Sequence, residues 1–106
     1  MPTIQESFEM MPLRFKPDKA AGTNAVIQYD ISGEGGGVWH AVIKDGTCAM
    51  NPGPAPKPTL VLQATAQDWM SVITHAQTGQ ALFMAGRLKL KGDMGLAMKL
   101  GSMFSV

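Results

Sequence analysis

The dipeptide Asp45-Gly46 is the feature that most restricts what this chain can fold into. Short apolar runs lie on both sides of it, VWHAVIK (38–44) and TCAMN (47–51). Asp-Gly accepts positive φ at both central positions of a two-residue turn, so it predicts a β-hairpin with a fixed register. That register pairs Ile43 with Cys48. Five side chains then share one face, which we expect to point toward the core: Trp39, Ala41, Ile43, Cys48 and Met50.

Three more segments are predicted to be strands because their apolar residues recur with a period of two. They are NAVIQYDIS (24–32), TLVLQAT (59–65) and RLKLKGD (87–93). The residues expected to face inward are Ile27, Tyr29 and Ile31 in the first, Leu60, Leu62 and Ala64 in the second, and Leu88 and Leu90 in the third. NPGPAPKPT (51–59) has a proline at every second position, so it is predicted to be an extended connector.

Helical character appears in several places along the chain. Residues 3–11 form a weak helix, which Pro12 is expected to end or kink. Thr65 and Asp68 make a capping-box pattern that opens a second helix, and Gly79 is expected to end it. Its apolar side carries Trp69, Met70, Val72, Ile73 and Ala76, and its polar side carries Asp68, Ser71, Thr74 and His75. QALFMAG (80–86) follows as a short apolar helix or turn.

The final segment, residues 94–104, has an apolar surface too wide for one packing partner. Its apolar residues spread over roughly 220° of a helical wheel, about twice the stripe of a surface helix. Three explanations stay open: a buried core helix, a dimer interface or the wall of a lipid cavity. Core or interface packing is the commoner use of such a surface. Met94, Met98 and Met103 favour a wall of variable shape, because the unbranched methionine side chain adapts to irregular partners.

The segment HAQTGQALFMAGRLKLKGDMGLAMKLGSMF (75–104) resembles the end of the sterol carrier protein type two domain. The shared pattern is a short apolar helix, then Gly-x-Leu, then Gly-Asp followed by a helix with Ala and Leu. PTLVLQATAQDWMSVI, VWHAVIKDG and FKPDKAAGTNAVIQYDISG are similar to earlier parts of the same family, so the likeness covers about residues 8–104.

This resemblance implies an α/β (α+β) fold, with a mostly antiparallel five-stranded sheet covered by helices and enclosing an apolar tunnel. It implies one lipid-binding domain over residues 1–106, holding a fatty acid, fatty acyl-CoA or sterol-like ligand without catalysis or a cofactor. An accessory or dimerising module that docks a lipid-modifying enzyme is the alternative. Transient contact with a membrane or an enzyme is compatible with both, and the oligomeric state stays open.

Candidate wall residues follow from combining the apolar faces with this resemblance. On the helices and the final strand they are Trp69, Val72, Ile73, Phe83, Met84, Leu88, Leu90, Met94, Met98 and Phe104. On the hairpin side of the sheet they are Trp39, Ile43 and Met50.

Composition argues against several other classes of function. The formal net charge of +1 gives no clustered basic excess for nucleic acid. Cys48 is the only cysteine, so no intrachain disulfide can form, and no signal-like leader is evident, which leads us to expect a cytoplasmic protein. His40 and Cys48 point to opposite faces of the hairpin, and neither they nor His75 give metal-ligand spacing.

We interpret Arg87, Lys89 and Lys91 as a solvated edge, with contact to a carboxylate, CoA phosphates or an anionic membrane as the alternative.

Overall fold

A computed structural model describes residues 4–16, 18, 22–74 and 76–104, with backbone only for Arg14 and residues 100–104. Nine elements follow one another along the chain. They are α1 (Ile4–Arg14), β1 (Ala25–Ser32), β2 (Gly37–Lys44), β3 (Thr47–Pro52), β4 (Leu60–Thr65), α2 (Ala66–Ile73), α3 (Gly79–Met84), β5 (Lys89–Gly92) and α4 (Met94–Phe104). No helix in the described ranges is both long enough and apolar enough to cross a bilayer.

The five strands form one sheet in the order β3-β2-β1-β4-β5. Neighbouring strands are antiparallel except β1 and β4, which are parallel. The predicted five-stranded, mostly antiparallel sheet is therefore confirmed. The hairpin register is confirmed as well: Ile43 pairs with Cys48, and the turn residues Asp45 and Gly46 have φ of 51° and 75°.

The parallel pair arises because the chain must cross the sheet between β3 and β4. Residues 53–59 make this crossing as a connector that is neither helix nor strand and that bends at several residues. The backbone N–H of Ala55 donates to the side-chain oxygen of Gln28 at 3.0 Å, and that of Thr59 donates to the carbonyl of Val26 at 2.7 Å. Because Gln28 lies on the face opposite Ile27, the connector covers the side of the sheet that the helices leave open.

The other face of the sheet carries the core. Alternate residues of β1 and β4 are buried, as the period of two predicts, and every helix contributes to the same apolar cluster. Phe8 of α1 lies at its centre, stacked against Trp39 and Trp69 with ring centroids 5.3 and 5.1 Å away. Trp69 also donates its indole N–H to the hydroxyl of Ser7 at 3.0 Å. These contacts attach α1 to the side of the sheet next to β3.

Two helix boundaries differ from the predictions. α1 continues past Pro12 to Arg14, because the fully buried Phe8 and Met11 hold its inner face against the core. α2 ends at Ile73, so the prediction that Gly79 ends it is wrong. Gly79 is instead the first residue of α3, since the Thr78 hydroxyl accepts a hydrogen bond from the backbone N–H of Ala81 at 3.0 Å and caps that helix. His75, predicted on the polar side of α2, lies outside the described residues.

Gly92 sets the angle at which the chain leaves the sheet for α4. Its φ is 115°, and a Cβ there would overlap the carbonyl oxygen of Thr59. The next residue, Asp93, donates its N–H to that same oxygen at 3.1 Å and caps α4 by accepting from the N–H of Leu96. A residue without a side chain is therefore needed for α4 to begin beside β4.

We predict that Gly92→Ala lowers the free energy of unfolding by about 3 kcal/mol, through a backbone clash added to an unfavourable φ. Gly53→Ala is the matched control, because Gly53 has a φ of 95° but no atom within 4 Å of the added carbon. The control should lose about 1 kcal/mol. Urea unfolding measures both, and equal losses would show that the close approach to Thr59 is unimportant.

Candidate functional site

An apolar cavity of about 580 Å³ lies where α3 and α4 meet the β4–β5 edge of the sheet. It is partly open to solvent. Its lining consists of Leu62, Thr78, Gly79, Gln80, Phe83, Leu88, Leu90, Met94, Ala97 and Met98. This volume falls within the range of about 300–1,000 Å³ that is usual for small-molecule sites.

The floor of the cavity comes from the alternation of β4 and β5. Leu62 and Leu90 are direct partners across the two strands, so their side chains emerge together on the helix side of the sheet. Leu88 enters just before β5 and is buried. The predicted inward direction of these three leucines is confirmed.

The two walls are helices that each attach to the core through a leucine. In α3 the anchor is the fully buried Leu82, and the next residue, Phe83, faces the cavity with 45% of its surface exposed. In α4 the buried anchor is Leu96, while Met94 and Met98 line the cavity. Met98 remains 86% exposed. Apolar side chains that would normally be buried therefore surround an opening.

The structure brings together five of the thirteen predicted wall residues in this cavity: Phe83, Leu88, Leu90, Met94 and Met98. Trp69, Val72 and Ile73 are instead buried in the core on α2. Trp39, Ile43 and Met50 lie on the β2–β3 side, where they pack into or against that core. Met84 is 78% exposed and outside the lining. The side chain of Phe104 lies outside the described residues.

Sequence reasoning missed the polar part of the lining, Thr78 and Gln80. The patterns predict Thr78 inside α2 and Gln80 at the start of the short apolar helix or turn of residues 80–86, and only apolar side chains of that segment were predicted to line the wall. The available signal was Thr78 itself, since a threonine three residues before an apolar stretch is a common N-cap. Leu62 and Ala97 were placed on apolar faces correctly, but not assigned to the site.

The lining favours binding over catalysis. Its ten residues include no ionisable side chain, and the Thr78 hydroxyl already accepts a hydrogen bond as the cap of α3. The site can therefore bury hydrocarbon and offer the amide of Gln80 and the hydroxyl of Thr78. None of these ten lining residues carries a group of suitable pKa to act as a general acid or base.

The Cys48 thiol and the His40 imidazole lie on the β2–β3 side of the sheet and outside the lining of this cavity. Burial raises the pKa of the Cys48 thiol to about 11, which keeps it protonated and unreactive near neutral pH. Cys48 pairs with Ile43, whereas His40 lies on the other face and donates from Nδ1 to the carbonyl of Gly53 at 2.9 Å. The predicted separation of His40 and Cys48 is confirmed. Within the described ranges, no three His, Cys, Asp or Glu side chains converge as a metal site would require.

An ion pair corrects the prediction that Asp68 lies on the polar side of α2. It also gives a partner to Arg87, whose side chain stays 51% exposed, as the prediction of a solvated edge expects. In the structure Asp68 is buried at 3% exposure, and the guanidinium of Arg87 contacts its two carboxylate oxygens at 2.6 and 3.3 Å. The pair ties the turn between α3 and β5 to the start of α2. It forms because Arg87 precedes the buried Leu88 in the turn before β5, a tertiary relation that wheel analysis of one helix cannot reveal.

Two further depressions are polar and shallow by comparison. One, of about 430 Å³, lies over the ends of β1 and β4 and includes Asp30, Gln63 and Lys89. Another, of about 650 Å³, lies beside the Asp68–Arg87 pair and includes Glu34. Acidic and basic groups are mixed in both, so neither offers the apolar enclosure found between α3 and α4.

We predict that Arg87→Ala lowers the free energy of unfolding by about 2–3 kcal/mol, because it leaves the buried Asp68 carboxylate without its cation. Adding Asp68→Asn to this variant should restore part of that loss, since the uncompensated charge is then removed. Lys89→Ala, which changes an exposed cation on the neighbouring strand, should alter stability by less than about 0.5 kcal/mol. Denaturant unfolding of the variants measures these differences, and a neutral Arg87→Ala would contradict a structural role for the pair.

Comparison with known proteins agrees with this architecture. The family model described as the SCP-2 sterol transfer family matches residues 10–105. A hydroxysteroid dehydrogenase-like protein 2 from Xenopus tropicalis is 33% identical over 98 residues, which are 92% of this chain but 24% of that protein. The chain thus spans about a quarter of the length of the curated relatives it matches.

Solved structures show the same fold. A sec-alkylsulfatase, Pisa1 from Pseudomonas sp., matches with a TM-score of 0.79 and 20% identity, covering 98% of this chain and 16% of the enzyme. The palmitated SCP2L2 of Aedes aegypti matches with a TM-score of 0.75 and 19% identity, covering 95% of this chain and 93% of that protein. The chain therefore belongs to the SCP-2 sterol transfer family, whose domains bind and transfer lipids.

Proposed function

We propose that this chain is a non-enzymatic lipid carrier that holds the apolar part of its ligand in the cavity between α3, α4 and the β4–β5 edge. The observation that carries this proposal is the lining itself: a volume of about 580 Å³ bounded mainly by leucine, methionine and phenylalanine, with no ionisable side chain among the described residues that line it. Such a site accepts hydrocarbon and cannot by itself perform acid–base or nucleophilic chemistry.

The driving force is removal of hydrocarbon from water. Each buried methylene contributes about 0.8 kcal/mol, so several methylenes offset the cost of ordering a flexible chain. Met94 and Met98 suit this task because their side chains adjust to ligands of different outline. The apolar arc of α4 is too wide for one packing partner. A ligand in the cavity would be the second partner and would cover these exposed methionines.

The ligand class follows from where polar groups occur in the lining. Thr78 and Gln80 lie together at the start of α3, so the polar end of the ligand lies there or projects into water. A fatty acid, a fatty acyl-CoA or a sterol-like lipid meets this description. A fatty acid is supported by the palmitated form of the Aedes aegypti protein with the same fold, and a sterol by the description of the family.

An accessory module for a lipid-modifying enzyme is the second candidate. It is favoured by relatives in which the matching region is only 24% of a dehydrogenase-like protein or 16% of a sulfatase chain. In that arrangement the domain would present lipid to a neighbouring enzyme. Both candidates need the same cavity, and they differ in the destination of the lipid.

We predict that Ala97→Phe weakens uptake of a fluorescent fatty acid by about tenfold or more, because the added ring occupies a cavity whose volume determines binding. Equilibrium titration by fluorescence measures the affinity. Circular dichroism before titration confirms that the variant is folded.

Ala49→Phe is the matched control, since Ala49 is exposed on the edge strand β3, away from the cavity. It should leave the affinity within about twofold of the original chain, as expected for a surface change. Equal weakening by both variants, or unchanged uptake by folded Ala97→Phe, would contradict binding at this site. Specific turnover of an acyl-CoA by the purified chain would contradict its non-enzymatic character.

A further inference from the structure

The two edge strands of the sheet are protected unequally against pairing with another chain. At one end, β5 has four residues and exposes Lys89 and Lys91, and both a short edge and its charges discourage pairing. At the other end, β3 has six residues, and its stretch TCAMN (47–51) carries no charge. Within the described residues, no strand lies beyond β3. β3 therefore presents a free edge that charge does not protect.

The outward backbone groups of β3 belong to Cys48 and Met50. In a two-residue hairpin the residues next to the turn, here Lys44 and Thr47, exchange hydrogen bonds, and every second pair after them does the same. The N–H of Gly53 keeps this alternation by donating to a β2 carbonyl at 2.7 Å. Cys48 and Met50 occupy the intervening positions, so their N–H and C=O groups point away from β2.

We propose that β3 pairs with β3 of a second copy of this chain, antiparallel and centred on Ala49, so that the two sheets join into one. In this register Cys48 of each copy lies opposite Met50 of the other, and every outward N–H meets an outward C=O. Ala49 meets its own copy on the two-fold axis. Pro52 has no N–H to donate, so it ends the paired stretch.

One flank of α1 also faces this edge. α1 packs against β3 and α2, and its Ser7 lies on the α2 side, where the hydroxyl accepts from the indole N–H of Trp69. Gln5 and Glu9 are two positions before and after Ser7, which places them roughly 160° away around the helix. They are exposed, and Gln5 donates to Glu9 at 2.9 Å. The Gln5–Glu9 flank therefore lies on the β3 side of α1, where a second copy would approach.

The charges and side chains around β3 favour a second copy over an unrelated strand. Ala49 has a small, exposed and uncharged side chain, so it can meet itself without a clash or a repulsion. The two-fold axis reverses α1 relative to the α1 of the other copy. The exposed Glu9 of one copy then lies toward the exposed Lys16 that follows α1 in the other. The same symmetry thus satisfies the backbone groups and brings opposite charges together.

The lipid cavity takes no part in this contact. It lies at the β4–β5 edge, and the strand order β3-β2-β1-β4-β5 puts that edge at the opposite end of the sheet. A joined sheet would carry one cavity at each end, and both openings would stay free. The inference goes beyond the proposed function and does not rest on it.

Sedimentation equilibrium of the full chain tests the proposal. Between about 10 μM and 1 mM chain, we expect the mass to rise from 11.3 kDa toward twice that value, because one short strand and one helix flank form a small, reversible interface. Ala49→Lys should raise the dimer dissociation constant about tenfold or more, since two like charges then face each other at the axis. Val38→Lys adds the same charge to the same sheet face on β2, and it should change that constant by less than about twofold.

Disulfide cross-linking tests the register. In a Cys48→Ala background, Ala49→Cys should form a covalent dimer on mild oxidation, because facing residues in such a pair have Cα atoms about 4.5 Å apart. Thr47→Cys is the matched control, exposed on the same face of the same strand. In the proposed register its copy lies about 13 Å away, which is too far for a disulfide. Equal cross-linking of both variants would overturn the pairing.

Other outcomes would also overturn the proposal. A chain that stays monomeric up to about 1 mM has no such contact. A dimer that Met98→Lys dissociates and Ala49→Lys leaves intact would place the interface on α4 instead of β3.

Uptake of a fluorescent fatty acid separates this inference from the proposed function. Ala49→Lys should take up the fatty acid with an affinity within about twofold of the unmodified chain, because the cavity is at the other edge. Dimerisation through Ala49 without any uptake would support the β3 contact and overturn the carrier function. Normal uptake by a chain that never dimerises would overturn the β3 contact and leave the carrier function intact.

Discussion

The cavity exists because α3 and α4 each reach the core through a leucine rather than through a full apolar face. Leu82 and Leu96 are buried against the sheet, and the neighbouring Phe83, Met94 and Met98 are left around an opening. α3 is only six residues long, so it has little other surface with which to pack. The rest of the structure supports this arrangement: the Asp68–Arg87 pair holds the turn after α3, and Gly92 directs α4 across the β4–β5 edge.

Much of the fold could be predicted from local chemistry. The turn at Asp45-Gly46 fixed the β2–β3 register, and the period of two assigned the buried faces of β1 and β4, because both signals depend on residues close in sequence. The ends of helices were less predictable. Pro12 lies inside α1 because Phe8 and Met11 are buried by distant elements, which a local helix-breaking rule does not include.

The candidate site was predictable only in part for a related reason. The wide apolar arc of α4 and the inward direction of Leu88 and Leu90 were evident, and family resemblance favoured a cavity over a core or a dimer interface. Trp69, Val72 and Ile73 were assigned to the wall because a helical pattern does not show which partner its apolar face meets. In the structure they are buried in the core, where Phe8 of α1 stacks on Trp69. Thr78 and Gln80 were overlooked because α2 was expected to extend to Gly79, whereas it ends at Ile73, and because only apolar side chains were predicted to line the wall.

The methionines of α4 give the most direct measurement, because they line the cavity and each carries a methyl group visible by NMR. The chain is labelled at its nine methionine methyls and titrated with palmitate. Our account predicts large shifts at Met94 and Met98, and little change at Met10 and Met11 on α1. Saturable palmitate binding that shifts the α1 methionines and leaves Met94 and Met98 unchanged would contradict a ligand site between α3 and α4.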